Sequence, residues 1–228
     1  MQKPLFLLAA CWLSYSISFT QNSTSNDVEV YSDLLYADEA SAQNDSLQRL
    51  NLVLPKGKVR APLLIWIGGG AWSYVDRNLE MDLAKHLARA GIAVASVGHR
   101  LSPAVWRDSS LNTGIQHPEH AKDIASALKW LFDQAPQYGY DRDNLFIGGY
   151  SSGGHLAALI SLDRSYLKAE GLPANIIRGV IPISGAYDIV AYREALAAGG
   201  VQSLPSCTSM QSLERRLRSC ATPPPPAT

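Results

Sequence analysis

The stretch that decides the fold covers residues 145–156 and has the sequence LFIGGYSSGGHL. Its first three residues are apolar, as in a short buried strand, and the small residues from Ser152 onward are typical of a helix. Gly149 and Gly153 flank Ser151 in the pattern G-x-S-x-G. Glycines here remove side chains that would collide across a tight strand-to-helix turn. We therefore predict a sharp turn that lifts the Ser151 hydroxyl above the strand ends.

Strands and helices alternate on both sides of this turn. Continuous apolar runs indicate strands buried on both faces, and apolar residues at helical spacing indicate helices between them. Such alternation predicts an α/β fold with a mostly parallel sheet and helices on both faces. The predicted strands are 46–54, 63–67, 92–97, 145–147 and 176–183, and the predicted helices are 79–90, 119–134 and 152–162.

A glycine-rich segment, residues 68–72 (GGGAW), directly follows the predicted strand 63–67. A serine that attacks a carbonyl needs hydrogen-bond donors aimed at the developing oxyanion. Small residues let a loop approach that oxygen closely, and the backbone N–H of Ser152 is a second donor. A phosphate-binding loop is the alternative, but its lysine is missing here.

Five motifs resemble those of α/β-hydrolase esterases, in particular the hormone-sensitive-lipase-like and feruloyl-esterase-like carboxylesterases. The resemblance implies the α/β-hydrolase fold, an ester substrate, Ser151 as the nucleophile, and Gly69, Gly70 and Ser152 as oxyanion donors. It implies no metal and no cofactor. The motifs lie at residues 66–72 (similar to HGG[AG]W), 99–103 (YRL(S/A)P), 117–131 (the helix between strands), 149–157 (G(D/H/E)SAGGHLA) and 184–188 (SGxYDL).

Two positions depart from the family pattern. Gly68 stands where the family has a histidine that braces the oxyanion loop, so the rigidity of the loop is in question rather than its backbone donors. His99 stands where tyrosine is usual, and we interpret it as a packing or loop residue.

The base and the acid expected in this fold are missing from their usual places. The chain order is serine, then Asp or Glu, then histidine, yet no histidine follows His155. The helix after Ser151 is expected to direct His155 away from the nucleophile. Asp188 is expected to cap a turn. The remaining candidate bases, His86, His117 and His120, are expected to be solvated or capping side chains at surface positions.

The ends of the chain differ from its middle. Residues 1–20 combine Lys3, an apolar run and small residues, which is typical of a secretory signal peptide and predicts an exported, periplasmic or secreted protein. A lipoprotein signal with lipidated Cys11 is the alternative. We assign 21–45 to a polar linker, 46–200 to an incomplete α/β-hydrolase domain, and 201–228 to a disordered tail unlike the family.

The tail suggests why the triad is incomplete. Residues 201–228 contain no Gly, Asp or His but four consecutive prolines, a composition that cannot build a core strand. We hypothesise that a truncation or frameshift replaced the last strands, the acid and the histidine. The strand 176–183 would then lie at the sheet edge, where an apolar strand is prone to aggregate.

Charge and composition limit the partners. The 228 residues include 20 basic and 20 acidic side chains, so the net charge is zero. Without concentrated positive charge we expect no nucleic-acid partner, and membrane contact only through a lipid on Cys11. The predicted function is a serine hydrolase of small carboxylic esters. A non-catalytic interaction module and an arylformamidase or peptidase of the same fold are the alternatives.

Overall fold

The computed structural model describes residues 27–37 and 47–198. The predicted signal peptide (1–20) with Cys11, and the predicted tail (201–228), lie outside these residues. Within the described ranges, six strands and five helices are present. They are β1 (Val28–Leu35), β2 (Arg49–Pro55), β3 (Pro62–Ile67), β4 (Ala93–Val97), β5 (Asp141–Tyr150) and β6 (Ile177–Ile183), with α1 (Met81–Arg89), α2 (Glu119–Tyr138), α3 (Ser152–Leu162), α4 (Ser165–Ala169) and α5 (Ile189–Ala198).

All five predicted strands and all three predicted helices are present; helix α3 has the predicted ends, and each of the others differs at one end or both. Helix α2 runs four residues beyond the predicted end: it continues through Pro136, which lies in its last turn, and stops only at Gly139. That glycine adopts a left-handed φ of 77°, and its N–H bonds to the Ala135 carbonyl. Strand β5 begins four residues earlier than predicted, because its first residues are polar and partly exposed and so give no apolar run.

Strand β1 lies inside the segment that we predicted to be a polar linker. It pairs antiparallel with β2 at the edge of the sheet. Most of its side chains are exposed. Apolar and polar residues do not alternate along the whole strand, so the hydrophobic pattern did not predict it. The sheet therefore begins at Val28 rather than in the region of residue 46.

The strand order is β1-β2-β4-β3-β5-β6. Neighbours from β4 to β6 are parallel, and only the two pairings of β2 are antiparallel, which confirms the mostly parallel sheet. Strands β3 and β5 are adjacent, and Ile67 is the register partner of Gly149. Because both strands end at the same edge of the sheet, the glycine loop after β3 and the serine turn after β5 leave it side by side.

Helices cover both faces of the sheet, as predicted. On one face α1 contributes Ala84 and Ala88 to a small cluster with Val94 of β4 and Trp66 of β3. On the other face α2 and α3 pack onto the larger core, in which Ile65, Leu128 and Leu156 are fully buried. None of the helices among the described residues is both long and apolar enough to span a membrane.

Strand β6 forms an edge of the sheet within the described residues, and Ile181 and Ile183 are about 45% exposed. The carbonyl of Ile183 accepts the N–H of Ser151 (2.9 Å), so the backbone of Pro182 faces away from β5. Proline has no N–H to offer there. Its carbonyl accepts the Tyr187 hydroxyl (2.7 Å). The outer side of the strand is therefore closed at this position, which limits edge pairing.

A buried ionic network fixes the segment after β4. The Asp123 carboxylate on α2 is nearly inaccessible, and it accepts hydrogen bonds from the Arg100 guanidinium, the Arg100 backbone N–H and the Gln48 amide. This carboxylate raises the pKa of Arg100 above its usual value. Two residues further on, the N–H of Ser102 donates to the Trp72 carbonyl of the glycine loop (2.8 Å). Asp123 thus holds the backbone at Arg100, and the same segment holds the glycine loop through the hydrogen bond from Ser102 to Trp72.

We expect Asp123→Ala to lower the free energy of unfolding by about 3 kcal/mol, because the change removes the buried acceptor shared by the Gln48 amide and the Arg100 guanidinium and leaves Arg100 only its longer pair with Glu119 (3.4 Å). Urea denaturation measures this loss. The matched control is Asp133→Ala, which breaks the exposed Lys129–Asp133 pair on the same helix and should cost at most about 0.5 kcal/mol. Equal losses in the two variants would contradict a stabilising role for the network.

Candidate active site

Ser151 lies on a strained turn between β5 and α3. Its backbone has φ 54° and ψ −120°, a combination that residues with a side chain rarely adopt. The turn is held from both sides, because the Ser151 N–H donates to the Ile183 carbonyl (2.9 Å) and its carbonyl accepts the N–H of His155 (3.0 Å). The side chain is therefore fixed at the carboxyl edge of the sheet.

Two glycines make this turn possible by close approach of backbones. A Cβ at Gly153 would lie 2.0 Å from the carbonyl oxygen of Ile67, and one at Gly149 would lie 2.5 Å from the same oxygen. A Cβ at Gly154 would lie 2.7 Å from the Ile183 carbonyl. The serine turn is thus pressed directly against the ends of β3 and β6, which only glycine permits.

The glycine loop after β3 lies against Ser151. A Cβ added at Gly69 would be 3.2 Å from Ser151 Cβ and 2.8 Å from the Tyr150 ring. None of the hydrogen bonds found in the described parts of the chain uses the backbone N–H of Gly69 or Gly70. The backbone of Gly69 therefore approaches Ser151, and the amides of Gly69 and Gly70 have no acceptor among the described residues.

The second half of the loop is held in an unfavourable conformation. Ala71 and Trp72 both have positive φ, 48° and 58°. The carbonyl of Gly70 accepts the N–H groups of Ser73 and Tyr74, and the carbonyl of Trp72 accepts that of Ser102. The indole of Trp72 is buried and meets the His155 ring edge-on, with centroids 5.3 Å apart. Several contacts thus offset the backbone strain.

His155 is buried on α3, where its ring packs against the indole of Trp72 in the glycine loop. Burial lowers its pKa to about 4, and the nearby His117 contributes to that decrease. Its Nδ1 has no hydrogen-bond partner in the part of the chain that the structure describes. The ring lines an open cavity of about 450 Å³ with Tyr187 and Leu162. Within the described residues, no hydrogen bond joins His155 to the Ser151 hydroxyl.

The expectation that His120 is a surface residue is wrong. His120 is 1% exposed, its Nε2 lies 3.0 Å from Ser102 Oγ, and its ring meets that of His99 at 5.4 Å. Burial lowers the pKa of His120 to about 2. The signal was present in the sequence, because His120 lies one turn before Ile124 on the apolar stripe of α2.

The other polar candidates behave as expected from the sequence. His86 is exposed on α1. His99 is fully buried, with its Nδ1 2.6 Å from the Arg100 carbonyl oxygen, as a packing residue would be. Asp188 caps the start of α5, since its Oδ1 accepts the N–H of Ala191 (2.9 Å).

Known proteins resemble this chain in sequence. A family model described as BD-FAE matches residues 50–203. The probable carboxylic ester hydrolase LipM of Mycobacterium tuberculosis is 31% identical over 141 residues, which are 60% of this chain and 30% of LipM. Esterase LipC of the same organism is 29% identical over 161 residues, which are 68% of this chain and 36% of LipC.

A solved structure has a similar fold. The inhibited esterase B from Lactobacillus rhamnosis superimposes with a TM-score of 0.63 at 28% sequence identity, over 78% of this chain and 56% of that protein. The matched part of this chain thus spans about a third of each curated relative and somewhat more than half of the esterase B chain.

We expect Gly153→Ala to lower the free energy of unfolding by about 3 kcal/mol or more, because the added methyl group would overlap two backbone carbonyls that cannot retreat independently. Gly171→Ala is the matched control. Gly171 has a positive φ but open space around its Cβ position, so the cost should be about 1–2 kcal/mol. A Gly153→Ala protein as stable as the control would contradict the packed turn.

The buried His155 should make stability fall in acid. The unfolded chain takes up this proton near pH 6.5, whereas the folded chain takes it up only near pH 4. The contribution is complete above about pH 6.5 and is lost as the pH falls toward 4, by about 3 kcal/mol. Urea titrations at several pH values should therefore show a flatter profile for His155→Leu. His86→Leu, at an exposed site, should keep the wild-type slope, and an unchanged slope in His155→Leu would contradict the assignment.

Proposed function

The chain belongs to the BD-FAE family of α/β-hydrolase esterases, and we propose that its Ser151 attacks the carbonyl carbon of a small carboxylic ester. The bond from Ser151 Oγ to that carbon forms while the carbonyl oxygen takes the negative charge. The bond to the alkoxy group then breaks, and the alcohol leaves with a proton. Water hydrolyses the resulting acyl-enzyme in the same way. The observation that carries this proposal is the approach of Gly69 to Ser151.

Three backbone amides serve the oxyanion in this proposal, those of Gly69, Gly70 and Ser152. Two observations support the assignment: the loop amides have no acceptor among the described residues, and the backbone of Gly69 approaches Ser151, since a Cβ added at Gly69 would lie 3.2 Å from Ser151 Cβ. Such preorganised donors need no reorientation when charge develops. The donors are backbone groups, so the replacement of the family histidine by Gly68 leaves them in place.

Proton transfer is the slow part of the proposed reaction in this chain. A serine hydroxyl needs a base to become a good nucleophile, and no histidine among the described residues bonds to it. In another serine hydrolase, loss of the base lowered kcat by roughly 10⁶-fold but left about 10³–10⁴-fold acceleration over water. We therefore expect a reactive but slow serine. An arylformamidase would use the same groups on an N-formyl amide, which parallel assays separate.

The proposal extends to the location of the protein. The basic start, apolar run and small residues of positions 1–20 support export, and Cys11 would carry a lipid if the segment is a lipoprotein signal. Mass determination of the mature chain distinguishes cleavage near residue 20 from lipidation at Cys11, and an intact Met1 contradicts both.

We expect a fluorophosphonate probe to label the protein on Ser151, and Ser151→Ala to abolish the labelling. Mass spectrometry of the labelled peptide measures this. Ser161→Ala is the matched control, because Ser161 lies on α3 and its hydroxyl donates a hydrogen bond to the Ala157 carbonyl. Absence of labelling in the wild-type chain, or labelling elsewhere, would favour the non-catalytic interaction module.

Added imidazole should increase the hydrolysis of p-nitrophenyl acetate by the wild-type chain, because an external base can take the proton that no described histidine accepts. The rate of Ser151→Ala at each imidazole concentration is subtracted as the background. An increase of equal size in both proteins would show that Ser151 takes no part.

A further inference from the structure

Gly68 leaves a space at the start of the oxyanion loop, and another side chain fills it. A Cβ added at Gly68 would lie 3.2 Å from Oε1 of Glu80 and 3.5 Å from its Cγ, with Val75 Cγ1 at 3.6 Å. The carboxylate of Glu80 therefore lies against the backbone where a residue-68 side chain would begin. At Gly68, where the loop starts, the nearest side chain is therefore that of Glu80.

The other oxygen of the same carboxylate reaches the end of β3. Trp66 Nε1 donates to Glu80 Oε2 (3.1 Å), and the Trp66 ring is buried between β3 and α1. The backbone of Glu80 is fixed as well, because its carbonyl accepts the N–H of Ala84 at the start of α1. One side chain thus connects a buried strand, a helix start and the loop.

The first half of the loop needs such a support. Gly68 and Gly69 have no side chains to restrict them, whereas the hydrogen bonds that fix the loop start at the carbonyl of Gly70. The strained residues Ala71 and Trp72 follow directly, and strain of this kind persists only where the surroundings hold it. An unsupported Gly68 would let the loop relax and move the Gly69 amide away from Ser151.

We propose that Glu80 is a positioning residue for the oxyanion loop, acting by contact with Gly68 and through its hydrogen bond with Trp66. The use of the loop for an oxyanion rests on the proposed function, but the positioning itself does not. Glu80 acts by shape and hydrogen bonding rather than by charge, so an amide of the same shape replaces it.

Hydrogen–deuterium exchange of the full chain, followed by mass spectrometry, tests the proposal without requiring activity. We expect Glu80→Ala to speed exchange in the peptide covering residues 67–74 by at least 10-fold, while peptides from β2 and β5 stay unchanged. Glu80→Gln should stay within 2-fold of wild type. Asp82→Ala, an exposed acidic residue in the first turn of the same helix, is the matched control and should also stay unchanged.

Three results would overturn the proposal. They are wild-type exchange in Glu80→Ala, a rise of equal size throughout the chain, which indicates general destabilisation, and a rise in Glu80→Gln as large as in Glu80→Ala.

A double-mutant cycle tests the route through Trp66. Trp66→Phe removes the N–H donor and keeps an aromatic ring at this position. We expect hydrogen–deuterium exchange of the loop to rise about 3-fold. Adding Trp66→Phe to Glu80→Ala should have no further effect, because the hydrogen bond is already lost. Additive effects in the double variant would show that the two residues act separately.

The fluorophosphonate probe separates this proposal from the proposed function. If Ser151 is reactive, Glu80→Ala should lower its second-order labelling rate about 10-fold and Glu80→Gln should restore it. If the wild-type chain is not labelled, the proposed function fails, while the exchange result still decides whether Glu80 positions the loop. A labelled wild type with equal rates in Glu80→Ala overturns the catalytic consequence of the positioning.

Discussion

The structure depends on the contact of two backbones at the carboxyl ends of β3 and β5. The absence of a Cβ at Gly149 and Gly153 lets the Ile67 carbonyl approach the serine turn to a distance that any side chain would block. Strand register then brings the residues after Ile67 beside Ser151. The strained backbone of Ser151, the position of the loop amides and the packing of α3 all follow from this approach. Gly149 and Gly153 permit it, and the parallel pairing of β3 with β5 sets its position.

The part of the site that is local in sequence could be predicted from sequence. A strand, a glycine-flanked serine and a helix are contiguous, so Ser151 and the loop 68–72 were recognisable from spacing and small residues alone. Features set by tertiary contact were not. Strand β1 is a mostly exposed edge strand without apolar alternation. Glu80 is separated from Gly68 by twelve residues, and only the fold brings them together.

The same contrast between local sequence and tertiary contact holds for the polar residues near the site. His99 and Asp188 have the roles expected from their neighbours along the chain, whereas His120 is buried because it lies on the apolar stripe of α2, although its side chain is polar. The buried imidazoles of His120 and His155 are kept neutral by burial, which lowers the pKa of each. They are packing residues behind the site. Among the described residues, the candidate site therefore consists mainly of backbone amides and one hydroxyl.

The closed outer side of β6 has a consequence for recombining this fold from pieces. At Pro182 the main chain offers no donor, and its acceptor is occupied by the Tyr187 hydroxyl. A complementing fragment laid along this edge would lack a continuous main-chain ladder past Val180. Its affinity would have to come from side chains that cover Ile181 and Ile183, so selection among fragments would favour shape and apolar area over strand propensity.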